Sequence, residues 1–209
     1  AKRHQRGDIV RKRKGLYGWI AVALVLILVL CIVSYVRSEQ GPVILMYHHL
    51  APAGTYQGTA DEDNGAILDV EHFAEQMAWL RENGYQTLFV SELADYLLND
   101  QELPEKAVII TFDDGYESNY VYALPILEEY QIKANFAIVV RDTERREEQP
   151  DETPYADTSL RHMTFEQLRE MVASGLVEVG SHTYHSHGDV NVDDAGNTKP
   201  ALVNYHYNT

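Results

Sequence analysis

Two short segments of this 209-residue chain concentrate side chains that hold metals or transfer protons. The first, residues 111–116, reads Thr-Phe-Asp-Asp-Gly-Tyr and follows an apolar run. Catalytic and ligand residues of parallel α/β folds gather at the carboxyl ends of strands, which is where Asp113 and Asp114 fall. Gly115 allows a turn that brings both carboxylates towards one centre. An Asp-Gly turn without a function is an equally good interpretation of this motif alone.

The second segment, residues 181–188, contains three of the nine histidines of the chain. Neutral imidazole is the commonest protein ligand for metals, so the cluster predicts a metal site. His182 and His187 can converge on an ion only if the intervening loop wraps around it. His182 and His185 are the competing pair if the stretch is helical. Two histidines and one strand-end carboxylate suit Zn²⁺ with a free water position, and also Fe²⁺ and other divalent ions.

Alternating strands and helices must position the two segments. Apolar runs predict buried strands at residues 43–47, 87–90, 107–112, 134–140 and 177–180. Helical spacing predicts helices at residues 70–83, 91–99, 116–130 and 164–174. Ser91 is a candidate cap of the second helix, and Thr164 with Gln167 forms a capping-box pattern for the last. Loops are predicted at residues 51–64 and 141–160. No further strand or helix is predicted in residues 186–209.

This alternation predicts a parallel α/β domain with right-handed crossovers. A five-stranded doubly wound sheet fits the available length. A (β/α) barrel needs seven or eight units and usually about 250 residues. If the fold is a barrel, the chain is expected to stop before the barrel closes.

The first forty residues predict a membrane anchor. Residues 16–36 carry no charge and match the roughly 20 residues that span a bilayer. A cleavable signal peptide has a shorter apolar region of about 7–15 residues, so cleavage is not expected. The basic residues before the span predict a cytoplasmic segment 1–15 and an extracytoplasmic domain 37–209. Cys31, the only cysteine, lies inside the span, so that domain is expected to lack disulfides.

The charge of the chain excludes one class of partner. Residues 1–37 hold eight basic residues and one acidic residue, whereas the rest holds nine basic and 31 acidic residues, a net charge of −22. Phosphate backbones bind surfaces rich in Lys and Arg. Nucleic-acid binding is therefore not expected.

The two motifs together resemble the polysaccharide deacetylases with a NodB-homology domain, carbohydrate esterase family 4. TFDDGY after one strand is followed about 65 residues later by SHTYHSH after another, and PVILMYHHL and FAEQMAWLRENGYQTL extend the likeness over roughly residues 42–187. The resemblance implies an α/β fold, here an incomplete (β/α) barrel of the NodB-homology type. It also implies that Asp113 is the general base and that Asp114, His182 and His187 bind a divalent ion of the Zn²⁺ type.

The implied activity is metal-dependent hydrolysis of N-acetyl groups from an extracellular or cell-wall N-acetylglucosamine polysaccharide. The spacing of His182 and His187 is similar to that of the branch acting on poly-β-1,6-N-acetylglucosamine. Alternatives are a deacetylase of peptidoglycan or chitin oligomers, and a non-catalytic membrane-tethered module that binds glycan or metal.

Other parts of the family pattern are less complete in this chain. Tyr47, His48 and His49 are candidates to line the sugar pocket, but a packed tyrosine and solvated histidines fit the sequence equally well. The family's late histidine and Arg-x-Pro-Tyr motifs are not recognisable. We therefore expect a domain truncated at its C-terminus that binds metal weakly and deacetylates poorly or not at all.

Overall fold

The computed structural model describes residues 17, 19–20, 22–32, 41–56, 66–149, 155–157, 160–191 and 196–200. The chain divides into two compact units, residues 1–41 and 42–209. In the first unit, residues 22–32 are helical and carry exposed apolar side chains. Within the described ranges, no helix combines the length and the apolar character needed to cross a membrane. The predicted basic segment 1–15 and both ends of the predicted anchor 16–36 lie outside the described residues.

The second unit contains nine described strands in three sheets. They are β1 (Val43–Tyr47), β2 (His49–Ala51), β3 (Ile67–Asp69), β4 (Gln86–Thr87), β5 (Ala107–Asp114), β6 (Ala134–Val139), β7 (Val177–Thr183), β8 (Asp189–Asn191) and β9 (Thr198–Pro200). The main sheet has the order β1-β5-β6-β7, and β4 pairs with β5. All pairings in this sheet are parallel.

Helices connect the strands of the main sheet. They are α1 (Val70–Glu82), α2 (Val90–Leu98), a π-helix (Asn119–Ala123), α3 (Leu124–Tyr130), α4 (Val140–Glu148) and α5 (Phe165–Ala173). The predicted parallel α/β architecture is therefore confirmed. Parallel pairing places the carboxyl ends of β5, β6 and β7 at one edge of the sheet.

The central strand β5 is buried on both faces, which explains its unbroken apolar sequence. Phe112 of β5 stacks on Phe136 of β6, with ring centroids 4.6 Å apart. The ring of Phe73 from α1 meets Phe112 edge-on. This packing anchors the strand immediately before the Asp113–Asp114 pair.

The prediction of a loop at residues 141–160 is wrong at its start, where the chain forms α4. This helix is polar on most sides, so it lacks the apolar period by which helices are recognised. Ion pairs one turn apart stabilise it, including Arg141 with Glu144 and Arg145 with Asp142. Its buried residue is Thr143.

The start of α2 also differs from the prediction. The strand expected at residues 87–90 ends at Thr87, and the helix begins at Val90 with Phe89, not Ser91, as its N-cap. The amide of Val90 donates to Oδ1 of Asn135 on β6. The distant Asn135 therefore satisfies one amide of this helix end, beside the local bond from the amide of Phe89 to Glu92.

The helix predicted at residues 116–130 is a π-helix over Asn119–Ala123 before it continues as α3. Short strands are a further difference. The sequence did not indicate β2 and β3, or the antiparallel pair β8–β9 in the tail. Each of these strands is three residues long, too short for an alternating pattern to be recognised. By contrast, the capping box of α5 is confirmed, since Thr164 and Gln167 make both reciprocal hydrogen bonds.

Candidate metal and catalytic site

A tight turn at the end of β5 carries the two carboxylates. Asp114 has a φ of 70° and Gly115 a φ of 83°, so the chain turns through two consecutive left-handed residues. Such a conformation costs about 1–3 kcal/mol for a non-glycine residue, although aspartate tolerates it better than most. A Cβ on Gly115 would lie 2.9 Å from Cγ2 of Ile138, so this turn requires glycine.

The segment before α5 holds this turn from outside the main sheet. The amide of Met163 donates to the carbonyl of Gly115 at 2.9 Å, and the amide of Glu117 donates to the carbonyl of Arg161 at 2.8 Å. Tyr116 and His162 form the antiparallel bridge between these bonds, with their rings stacked at 5.2 Å. The carboxylates thus lie on a backbone that is fixed on two sides.

The histidines lie at the end of β7. His182 belongs to the strand itself, which excludes the helical geometry that would pair it with His185. The amide of Ser186 donates to Oγ1 of Thr183 at 3.0 Å, closing a turn directly before His187. The rings of His182 and His187 are 5.2 Å apart. The loop therefore brings together the pair that is five residues apart, whereas His185 is exposed.

Asp114, His182 and His187 converge at this edge of the sheet. Oδ1 of Asp114 lies 3.2 Å from Nε2 of His187 and 3.9 Å from Nε2 of His182. One ligand atom from each residue falls within 4.8 Å of the other two. Oδ2 of Asp113 lies 3.9 Å from Nδ1 of His182, beside this group. The four residues singled out by sequence are thus neighbours, although 68 positions separate Asp114 from His182.

The chemistry of this group fits a divalent cation. Oδ1 of Asp114 is buried and accepts no hydrogen bond from the described part of the chain, despite its short distance from His187. Buried carboxylate oxygens are normally paired with donors or bound to metals. A buried oxygen facing two imidazoles is a donor set suited to Zn²⁺ and to other divalent transition ions. Asp114, His182 and His187 could therefore hold such an ion.

Tyr47 lies at the same end of the sheet but packs into the core. Its ring stacks on Phe112 at 5.3 Å, and its hydroxyl donates to Oε1 of Gln76 at 2.6 Å. Burial raises the pKa of Tyr47 to about 12. The ring contact leads into the core and the hydroxyl contact leads to the exposed Gln76 of α1, and a role for Tyr47 in sugar binding stays a prediction.

His48 and His49 have different environments. His48 is half-buried, and its carbonyl accepts a hydrogen bond from Asn119. A sugar contact by His48 also stays a prediction. His49 is 1% exposed, with its ring nitrogens 2.8 Å from Oγ of Ser118 and 3.1 Å from the hydroxyl of Tyr56. The interpretation of His49 as a solvated histidine is wrong.

Three residues next to the site, His162, Glu117 and Arg161, were not singled out in the sequence. His162 stacks on Tyr116 and lies 3.8 Å from Asp142. Burial lowers the pKa of His162, while the charges of Asp142 and Asp114 oppose that shift. The buried Glu117 and the partly buried Arg161 form an ion pair close to the turn. No local pattern marks these residues, since each is defined by a partner far along the chain.

A parallel sheet with carboxylates and imidazoles at the carboxyl ends of its strands defines a class of α/β proteins whose strand ends can hold a catalytic ion. Comparison with known proteins narrows this class. Residues 100–202 match the sequence model of the polysaccharide deacetylase family. The chain is 39% identical over 137 residues to the poly-β-1,6-N-acetyl-D-glucosamine N-deacetylase of Escherichia coli K12, covering 65% of this chain and 20% of that protein.

Solved structures agree with the sequence comparison. The de-N-acetylase from Aggregatibacter actinomycetemcomitans matches with a TM-score of 0.63 and 32% identity, over 80% of this chain and 64% of that one. IcaB from Ammonifex degensii matches with a TM-score of 0.57 and 30% identity, over 79% and 60% of the two chains. The chain spans a fifth of the E. coli relative and less than two thirds of these structures. Residues 100–202 thus belong to the polysaccharide deacetylase family.

Proposed function

We propose that this protein hydrolyses N-acetyl groups from an N-acetylglucosamine polysaccharide in a metal-dependent reaction. The observation that carries the proposal is the buried Oδ1 of Asp114, which has no hydrogen-bond donor among the described residues and faces the nitrogens of His182 and His187. Family membership supplies the reaction class. The position of the group at the strand ends is where α/β enzymes place their chemistry.

Asp114, His182 and His187 would hold the ion, and a bound Zn²⁺-type ion would polarise the amide carbonyl and make water a better nucleophile near neutral pH. Asp113 is then free to act as general base. Its side chain is 17% exposed, so it reaches solvent beside His182. The Asp113 carboxylate accepts a proton from the water that attacks the carbonyl carbon.

After the attack of water, the carbon–nitrogen bond must break and the leaving amine must be protonated. Cleavage of the carbon–nitrogen bond releases acetate and leaves an amine on the sugar, and this amine needs a proton. Backbone amides near the turn are the kind of donor that stabilises the oxyanion formed at the carbonyl. One water is consumed for each acetate released.

The proposed substrate is poly-β-1,6-N-acetylglucosamine. The name of the E. coli relative specifies this polymer, and that relative shares 39% identity with the chain. The spacing of His182 and His187 supports the same branch of the family. Peptidoglycan and chitin oligomers are the alternatives that a substrate comparison must separate.

The proposal extends to location and to the complete fold. We place residues 16–36 in a membrane, with residues 1–15 in the cytoplasm and the domain outside the cell, on the strength of the uncharged span and its basic flank. We also regard the open sheet from β1 to β7 as part of a (β/α) barrel, which its likeness to longer deacetylase structures supports. Alkaline extraction of membranes tests the anchor, because an anchored protein stays with the lipid.

Matched variants of the adjacent carboxylates test the catalytic proposal. We expect Asp113→Asn to abolish acetate release while Zn²⁺ binding is retained, and Asp114→Asn to abolish both. Binding is measured on the 209-residue chain, and acetate release on the longest natural form of the protein. The substrates are oligomers of β-1,6-linked N-acetylglucosamine, chitin oligomers and peptidoglycan, offered side by side. Unchanged metal content in Asp114→Asn would contradict the proposed site, and preference for another substrate would contradict the proposed polymer.

A further inference from the structure

We infer that Glu117 is a positioning residue for the metal-binding group, acting through the turn that carries Asp114. This inference rests on the proposed function, since it assumes that Asp114, His182 and His187 bind a divalent ion. Glu117 would not touch the ion or the substrate. Its role is to fix the two strand ends that supply the ligands.

The carboxylate of Glu117 is a buried charge close to the site that the proposed reaction does not use. Its side chain is 5% exposed. Both oxygens are occupied, since Oε2 accepts from Nε of Arg161 and Oε1 accepts from Nε2 of Gln167 at 2.8 Å. Hydrogen bonds to an ionised group are stronger and more directional than neutral ones. A fully satisfied buried carboxylate of this kind holds its partners in one arrangement.

The first connection runs to the carboxylate side of the site. Glu117 is three residues beyond Asp114, and its own amide bonds to the carbonyl of Arg161. The same two segments are joined by the bond from Met163 to Gly115. Main-chain and side-chain contacts therefore fasten the turn to residues 161–163 at both of its ends.

The second connection runs to the histidine side. Gln167 is the third residue of α5, where its Oε1 accepts from the amide of Thr164 in the capping box. Its Nε2 is then free to donate to Glu117. Helix α5 leads directly into β7, which carries His182. One carboxylate thus links the turn after β5 to the helix that precedes the histidine strand.

The connections of Glu117 matter because metal binding requires the ligand atoms to be held accurately in place. Ligand atoms must be held within about 0.5 Å of their working positions, and supporting contacts determine whether they are. At the φ of 70° of Asp114, the chain turns away from the regular β5 backbone. Asp114 is the last residue of β5 that pairs with β6, opposite Ile138, so the sheet holds one side of the turn. The contacts of Glu117 with Arg161 and Gln167 hold the chain just beyond it.

Metal affinity separates a positioning role from a purely structural one. We expect Glu117→Gln in the 209-residue chain to weaken Co²⁺ binding about 10- to 100-fold, as removal of outer partners does at other metal sites, and to change the visible spectrum of bound Co²⁺. Arg161→Lys keeps the charge but loses the planar guanidinium, so we expect an intermediate loss. The control is Glu92→Gln, which removes a more exposed ion pair with Lys133. This control should leave Co²⁺ affinity within about twofold of wild type.

The double variant Glu117→Gln/Arg161→Gln guards against misfolding, because it removes both charges of the pair together. If Glu117→Gln unfolds, the double variant is expected to fold and to show the same loss of Co²⁺ affinity. The inference is overturned if either folded variant binds Co²⁺ with wild-type affinity and spectrum, or if neither variant folds. Failure of the proposed function looks different: the wild-type chain would bind no Co²⁺, or Asp114→Asn would bind it as well as wild type.

Discussion

The two halves of the candidate metal site are built differently. The carboxylate half lies at the end of a strand buried on both faces, and the side chain of Asp114 is 5% exposed. The histidine half lies at the end of β7, where the side chains of His182 and His187 are 28% and 49% exposed. Backbone bonds to residues 161–163 and the ion pair of Glu117 hold the first half. A short turn closed by Thr183 precedes His187 in the second.

This difference indicates how the site would acquire an ion. The carboxylate is fixed before binding, and its position carries the cost of a left-handed residue and of a buried oxygen that accepts no hydrogen bond among the described residues. The more exposed histidine loop can adjust to the ion at little cost, because few buried contacts hold it. A buried, rigid carboxylate half and a more exposed, adaptable histidine half thus combine in one site. Four changes test whether the halves differ in this way.

Asp114→Asn should have the largest effect. We expect Zn²⁺ affinity to fall by more than about 100-fold, beyond the range for outer partners, because a charged ligand is lost. The metal-free chain should be no less stable, and up to about 1 kcal/mol more stable, because the variant removes a buried charge whose Oδ1 accepts no hydrogen bond among the described residues. Calorimetric titration and urea unfolding measure the two quantities. A less stable metal-free variant with normal affinity would make Asp114 a structural residue.

Gly115→Ala should come next, with an effect on stability. The left-handed φ costs about 1–2 kcal/mol for alanine, and the contact of the new Cβ with Ile138 adds about 1–3 kcal/mol. Gly84→Ala is the matched control, since Gly84 has a φ of 71° and no heavy atom within 4 Å of the point where a Cβ would lie. Urea unfolding of the metal-free variants measures both. Equal losses would show that the turn after β5 is no more tightly packed than the turn at Gly84.

His187→Ala should weaken Zn²⁺ binding about 10- to 100-fold, equivalent to about 1.4–2.7 kcal/mol. The free energy of unfolding without metal should stay within about 0.5 kcal/mol of wild type, since the side chain is half exposed. His185→Ala should change neither quantity, because His185 lies outside the converging group. An equal loss of affinity in His185→Ala and His187→Ala would contradict this prediction. It would mean that His185 also binds the ion.

Zinc addition to the unmodified chain should have the smallest and most local effect. Hydrogen exchange measured by mass spectrometry should slow in residues 182–188 and change little in residues 113–117. The physical reason is that binding orders the exposed half, whereas the buried half is already ordered. Equal slowing in both peptides would mean that the carboxylate turn is also organised by the ion.

Much of the fold and the chemistry of the site could be predicted from sequence. The long apolar runs of β5 and β6 have one stable placement, inside a parallel sheet, and the capping box of α5 is a local motif. Features without a local pattern were missed. Helix α4 is held by ion pairs rather than by an apolar stripe, and the start of α2 depends on Asn135.

The amino-acid sequence alone indicated which residue types the candidate site contains. It also indicated that these residues follow apolar strands. It was also enough to define the turn at Gly115, because glycine adopts a left-handed φ without strain. Three-dimensional packing was needed to show that His187 rather than His185 faces Asp114, and that Glu117 meets both Arg161 and Gln167. Such contacts join residues tens of positions apart, and their distances depend on how the helices and strands between them pack.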